Sequence, residues 1–416
     1  MRILQVSPFF LPESIGGVEL HVDGLARSLK AQGHEVAVFA RGGDAARPEY
    51  QEWLTQQKGL PVHRINYNFQ DCDRFERLTI NPKIGHAFHD EMLRRRPEVV
   101  HAHHLTCLST DIVDWCRAEN VPLVLTLHDF WLGCPKGQRI REDLDLCEEV
   151  AFERCGPCLH AFWPHLFPEG EAGRETYVEY RARVSDVLSK ASLLVTPSEF
   201  HRQRYIEDFG VEPDRIRAVE NGLPTARFES VPRQAADWVR FGFVGTVIPS
   251  KGVHVLVDAF RGLDESLPAV LDVFGPVQPF GSIQDYGERL AASIGADPRI
   301  QLHGRYDNEE LPKILSELDV LVVPSLWYES FCLTIREGFL AGCAVVASDL
   351  GAMGEAVEDG VTGRKFEAGD TAALRGVMRE LIEDREQLTR LMSANKPVRS
   401  VEDNARELLS IYQSLL

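Results

Sequence analysis

The sequence lacks any run of roughly twenty uninterrupted apolar residues, so no membrane-spanning helix is expected. Its first ten residues, MRILQVSPFF, move straight into a strand-like run. No basic segment leads into a long apolar core there, and no signal peptide is expected. Positive charge is scarce: 45 Lys and Arg stand against 63 Asp and Glu, a formal net charge of −18. A surface of that sign does not neutralise phosphates over a broad face, which excludes nucleic acid as the general partner. Short repeats and low-complexity tracts are also missing. What is present is ordinary for a globular chain: 416 residues, 44% hydrophobic and 26% charged. That length exceeds one core, so two domains of a cytoplasmic protein are expected, with room for a peripheral contact at the inner face of the membrane.

The first half alternates strand-like and helix-like segments. RILQVS is a short apolar strand and FFLPESIGG a loop rich in turn formers. Val18 to Gln32 places Val18, Val22, Leu25, Ala26 and Leu29 on one helix face, Gly33 stops it, and EVAVFA returns as a strand. VVHAHH (99–104), VPLVLTLHD (121–129) and ASLLVTPS (191–198) are further strand-like runs ending in polar residues. Continuous apolar runs suit parallel strands covered on both faces. After VENGLPTARFES the pattern restarts with VRFGFVG (239–245), AVLDVFG (269–275), RIQLHG (299–304), DVLVVPS (319–325) and CAVVAS (343–348). Asn-Gly-Leu-Pro sets a boundary near Asn221 to Pro232. Two doubly wound, Rossmann-like α/β domains are predicted, over 1–225 and 226–395. Within 396–416 the amphipathic Val401 to Leu416 reads as a closing helix that packs back on the first domain.

In open α/β sheets ligands sit beyond the C-terminal ends of the strands, so the loops there carry the chemistry. Gly16-Gly17, before the first helix, lets backbone N–H groups approach an anion, although the pair alone is a weak signal. GTVIPSKG (245–252) joins a glycine turn to Lys251 at a helix start, a setting the helix dipole disfavours unless an anion is bound. SLWYESFCLTIREGFLAG (325–342) sets two carboxylates eight positions apart. Glu329 belongs to the loop, Glu337 to a helix running from about Cys332 to Ala341, and the helix start lies between them. A loop carboxylate accepts sugar hydroxyls, free N–H groups hold a phosphate, and a helix carboxylate binds a diol.

Glu329-x7-Glu337 with the upstream Gly245 and Lys251 resembles the retaining glycosyltransferases of family 4, which have the GT-B fold of two Rossmann-like domains facing across a cleft. TLHD, the Gly-Gly loop, SDLGAMGEAVEDGVTG (348–363) and the terminal helix extend the resemblance over nearly the whole chain. It implies transfer of a sugar from a nucleotide sugar, UDP ahead of GDP, to a sugar, lipid-linked or small-molecule acceptor without a catalytic metal. Lys251 would contact the donor diphosphate, Glu337 the ribose and Glu329 the sugar hydroxyls, while His128 would reach the reacting centre. Gly16, Gly17, Phe331, Leu333 and Thr334 complete the donor site, with the base near Gly304 to Tyr306 and Arg305 as a second phosphate base. Thr246 stands where the family carries Arg, so one phosphate contact must come from elsewhere. Alternatives are a sugar-nucleotide epimerase or hydrolase of the same fold, and a non-catalytic sugar-nucleotide-binding regulator. A glycosidase would not bracket its acids with phosphate-type elements. HAHH (101–104) offers imidazoles for a metal but no matching carboxylate.

Of nine cysteines, Cys72, Cys107, Cys116, Cys332 and Cys343 sit among apolar neighbours as ordinary buried thiols. Cys134, Cys147, Cys155 and Cys158 are bunched in a polar insertion (134–158) whose C-x-x-C knuckle suggests structural zinc ahead of an iron–sulfur cluster. The insertion follows Leu127-His128-Asp129, read as strand, which would bring Lys136, Gln138, Arg139 and Arg141 to the acceptor side.

Overall fold

A computed structural model of the chain describes residues 1–14, 16–229, 231–233, 236–394 and 397–416. It divides into two compact units, one of Met1–Gly137, Glu149–Pro224 and Arg399–Leu416, the other of Gln138–Glu148 and Thr225–Val398. The predicted boundary at 395/396 falls on Asn395 and Lys396, and Ser230 lies in the predicted linker; all three are outside the described residues.

The first unit is built on an eight-stranded sheet: β1 (Arg2–Ser7), β2 (Glu35–Gly42), β3 (Glu52–Gln57), β4 (Leu60–Asn66), β5 (Val99–Ala102), β6 (Leu123–Thr126), β7 (Leu193–Thr196) and β8 (Ile216–Ala218). Their spatial order is β3-β4-β2-β1-β5-β6-β7-β8, and every pair is parallel except β3/β4. That edge hairpin is absent from the sequence expectation. Lys58 (φ 47°) and Gly59 (φ 79°) form its two-residue turn, both left-handed as the twist of a tight hairpin requires. Alternate residues of β1 face opposite layers: Ile3 joins Val22, Leu25, Leu29 and Tyr412, whereas Leu4 and Val6 join Phe39, Phe88 and Val100. Each fully buried Leu, Ile or Val here contributes about 1.5–3 kcal/mol. The closing helix, Val401–Ser414, begins at Ser400, whose hydroxyl accepts the Asp403 N–H, and it packs on the Gly17–Ala31 helix through this second layer.

The second unit has a six-stranded parallel sheet: β9 (Val239–Val244), β10 (Ala269–Phe274), β11 (Ile300–Gly304), β12 (Val320–Val323), β13 (Ala344–Ser348) and β14 (Gly363–Phe366), in the order β11-β10-β9-β12-β13-β14. In β12, Val320 and Val322 enter one core layer and Leu321 and Val323 the other, the pattern of a strand buried on both faces. Among the described residues no helix is long and apolar enough to cross a membrane.

Candidate active site

In the second unit the loops leaving β9, β10, β11 and β12 are tied to one another by backbone. Gly245 N donates to Phe274 O (3.0 Å) and Gly275 N to Gly304 O (2.7 Å), while Leu326 N donates to Ser250 O (2.8 Å). Two glycines permit this approach. A Cβ on Gly275 (φ 142°) would lie 1.7 Å from the Gly245 carbonyl oxygen, and one on Gly252 (φ 68°) would lie 1.9 Å from that of Pro324.

Lys251 ends the short turn Pro249–Lys251 and its Nζ donates to Glu329 Oε1. The same oxygen accepts from Trp327 Nε1 at 2.7 Å and Ser325 Oγ at 3.2 Å. Oε2 of Glu329 accepts from none of the described residues, so one face of the carboxylate is fixed and the other is available to hydroxyl groups. Burial opposes the charge on Lys251, but the neighbouring Glu329 carboxylate outweighs it and raises the ammonium above its ordinary range. Sequence reasoning found the acid and the lysine but missed Trp327 and Ser325, whose place in the same loop as Glu329 was the available signal.

The helix Leu333–Leu340 starts after Cys332, which adopts φ 60°. No side chain caps it and its first turn carries no acid, which leaves the Leu333-Thr334 end electropositive. Phe331 is buried, its ring covered by the Arg336 guanidinium at 4.1 Å. Glu337 lies one turn inside, partly buried, and its carboxylate makes no side-chain hydrogen bond among the described residues. Burial pushes it up to about 7, against a smaller opposing pull from Arg227. Tyr306 is close enough to feel that carboxylate and, chiefly through burial, is pushed up to about 12. Arg305 is exposed.

In the first unit β6 ends at Thr126, so Leu127, His128 and Asp129 lie in the loop beyond it and not in the strand. Their position at a strand end is nonetheless what a reacting loop requires. Gln5 Oε1 can only accept, so the 2.6 Å contact places the proton on His103 Nε2; His103 Nδ1 then accepts from His128 Nε2 at 3.2 Å. His21 packs edge-on against both rings, at 5.4 Å from His103 and 5.2 Å from His128. Burial holds His21 down to about 4 and His103 and His128 well below their ordinary value, so the cluster is neutral. Asp129 bonds His104 Nε2 (3.1 Å) and the Trp131 N–H (2.7 Å). His101 is taken up by Tyr412 and Thr126 at 2.6 and 2.7 Å. HAHH therefore supplies one ring to a helix contact, one to His128 and one to Asp129. His21 escaped the sequence reading, although it sits beside Val22 on the apolar face of its helix. Gly16 flanks that helix start with its open side against the Glu19 carboxylate, and Gly17 is the first helical residue.

The insertion differs from its expectation. Residues 138–148 belong to the second unit, where Glu142 accepts from Ser282 Oγ (2.6 Å) and Tyr328 OH donates to Glu148. Arg139 is buried, donating to the Cys147 and Glu148 carbonyls, and Arg141 pairs with Asp143 and Asp145; neither stands free for an acceptor. Lys136 lies in the first unit, with Nζ 3.8 Å from Cys158 Sγ. Cys155 feels Cys134 and Cys158, and burial above all raises its thiol. Cys147 belongs to the second unit. Among the described residues only His21, His103 and His128 bring three potential metal-ligand atoms within 4.8 Å of one another.

Two Rossmann-like α/β units, each with polar residues in the loops beyond its strand ends, are the architecture of a GT-B enzyme. A family model described as Glycosyltransferase Family 4 matches residues 15–227, just over half of the chain, and one described as Glycosyl transferases group 1 matches residues 231–397. The chain belongs to glycosyltransferase family 4 and is a glycosyltransferase. It is 27% identical to a glycogen synthase of Mycobacterium tuberculosis over 92% of this chain and 86% of that one. It is 26% identical to a phosphatidyl-myo-inositol mannosyltransferase of Mycobacterium leprae over 100% and 97%. Among solved structures, Anabaena HepE in complex with UDP superposes with a TM-score of 0.71 at 18% identity, covering 100% of both chains. A sucrose-phosphate synthase from Thermosynechococcus elongatus gives 0.71 at 21%, over 100% and 98%. These likenesses establish the GT-B fold.

Proposed function

We propose that the chain moves a sugar from a nucleoside-diphosphate sugar to an acceptor hydroxyl, with retention of configuration and without a metal ion. The observation that carries the proposal is the Lys251–Glu329 pair beside an uncapped helix N-terminus whose own helix holds the unpartnered carboxylate of Glu337. Lys251 and the Leu333-Thr334 end supply positive charge to the leaving diphosphate, where negative charge grows in the transition state. Glu337 accepts the ribose diol, Oε2 of Glu329 accepts hydroxyls of the donor sugar, and Tyr306 borders the nucleoside. In the first unit a neutral His128, oriented through Gln5 and His103, is the group that meets the reacting centre. UDP is favoured over GDP as carrier, a choice supported by the bound UDP of HepE. The mannosyltransferase relative supports a lipid-linked acceptor among those considered. A structural zinc on Cys134, Cys155 and Cys158 of the first unit belongs to the same proposal, supported by the electrostatic influence of Cys134 and Cys158 on Cys155. Among the described residues no three of these thiols lie within 4.8 Å of one another, so the ion would have to draw them together.

Incubating the chain with UDP- and GDP-sugars and an acceptor panel, with the product anomer assigned by NMR and EDTA present throughout, tests the reading. Retained configuration at undiminished rate is expected. Inversion, loss of rate in EDTA that added magnesium or manganese restores, or release of free sugar without transfer would overturn it.

A further inference from the structure

The first unit contains a cavity of about 380 Å³ walled by Phe69, Phe75, Trp131 and Trp163, with Thr79 and Thr106 among its polar groups. Aromatic walls with a few hydroxyls are those of a ligand site. Two of its lining residues, Phe69 (φ 60°) and Cys107 (φ 58°), hold left-handed backbone although neither is glycine, a strain that concentrates at functional sites.

Beside this wall lies Arg41, on β2 opposite Ile65 of β4 and only 7% exposed. Its guanidinium is sandwiched between Phe9 (4.4 Å to the ring centroid) and Phe69 (4.9 Å), and it hydrogen-bonds the side chain of Cys107, one of the cavity's lining residues. Nε donates to Tyr67 O at 2.6 Å, and the terminal nitrogens make no ion pair among the described residues. The nearby carboxylate of Glu49 is committed to the Asn68 and Gln70 N–H groups. Arg64, one strand over, shows the alternative: its terminal nitrogens reach Phe10 O, Leu11 O and Glu13. In a chain with 63 acids, a buried guanidinium without a salt bridge is unusual. A desolvated charge of this kind is costly unless an anion completes it.

We propose that this cavity is the acceptor subsite and that Arg41 selects an acceptor bearing an anionic group, phosphate or carboxylate, on a ring or apolar body. The inference rests on the glycosyltransferase reading above and specifies its acceptor class. The aromatic walls take the body, Arg41 takes the anion with the two terminal nitrogens of its fork, and the hydroxyls of Thr79 and Thr106 orient the rest.

Calorimetric titration of the full chain with inorganic phosphate, phenol, octanol, phenyl phosphate and octyl phosphate is the test. One or both organic phosphates should bind at least tenfold tighter than inorganic phosphate or the matching alcohol. Preference for octyl phosphate would assign a lipid-borne acceptor, and preference for phenyl phosphate a small ring acceptor. Arg41→Gln, which keeps much of the volume without the charge, should abolish the advantage, and Arg41→Lys should retain part of it. Organic phosphates no tighter than their parts, or unchanged affinity in Arg41→Gln, would overturn the proposal. UDP titrated into the same samples separates the two readings. Binding of UDP alone overturns only the acceptor inference, whereas binding of organic phosphate alone overturns only the donor site.

Discussion

Glu337 titrates within the working range of most assays, and its direction is unusual for a carboxylate. Burial without a hydrogen-bond partner moves it from the ordinary 4.5 to about 7. The unfolded chain therefore loses this proton first, and the stability of the second unit should fall as pH rises from about 4.5 to 7, then level off. The shift corresponds to about 3 kcal/mol of ionisation cost at pH 8. Glu337→Gln, which cannot ionise, should exceed the native chain in urea denaturation by about 1 kcal/mol or less at pH 5 and by up to about 3 kcal/mol at pH 8. Nucleotide binding should move the opposite way. A ribose diol donates to the ionised carboxylate, so UDP affinity should climb by up to tenfold per unit below pH 7 and flatten above it. Ionisation of the diphosphate also contributes, and the Gln variant, which retains that contribution, isolates the carboxylate. Equal stability differences at both pH values, or identical UDP profiles for the two chains, would refute the assignment of Glu337 as a desolvated ribose acceptor.

Lys251→Ala should weaken UDP binding and lower turnover by at least tenfold each, because charge at the leaving group grows in the transition state; undiminished activity would assign the phosphates to another base such as Arg305. Glu329→Gln should keep UDP affinity within threefold while turnover, measured by product formation, falls about a hundredfold. His103→Leu removes the partner that sets the His128 tautomer, and should lower kcat about tenfold with little change in donor KM; equal kcat would make the ring pair merely structural. Gly275→Ala forces a Cβ to within 1.7 Å of a carbonyl oxygen and should destabilise the second unit by about 3 kcal/mol or more in denaturation. Elemental analysis should find about one zinc per chain, lost in Cys155→Ser/Cys158→Ser; metal near zero in the native chain would end the zinc expectation.

The parallel strands were legible because they are buried on both faces, and a run such as VLVV has few other ways to be satisfied. The β3/β4 hairpin was not. EWLTQQ lies at the sheet edge with alternating exposure, so its polar residues mask the strand, and Lys-Gly is a quieter turn signal than Asn-Gly. The same contrast runs through the site. Glu329 and Glu337 stood out as charges in an apolar stretch, and the structure puts one at a loop tip and the other inside a helix, as the pattern required. What fixes Glu329 was hidden, since Trp327 reads as core and its Nε1 as incidental. The histidines were harder still. In HAHH the letters give three equivalent imidazoles, whereas their roles depend on which residues face them across the sheet: Tyr412 from the far end of the chain, Gln5 from β1 and Asp129 from the next loop. No local pattern encodes partners separated by up to 311 positions. For a buried polar group, residue type in the sequence reveals that a partner must exist, and only the topology of the sheet decides which one it is.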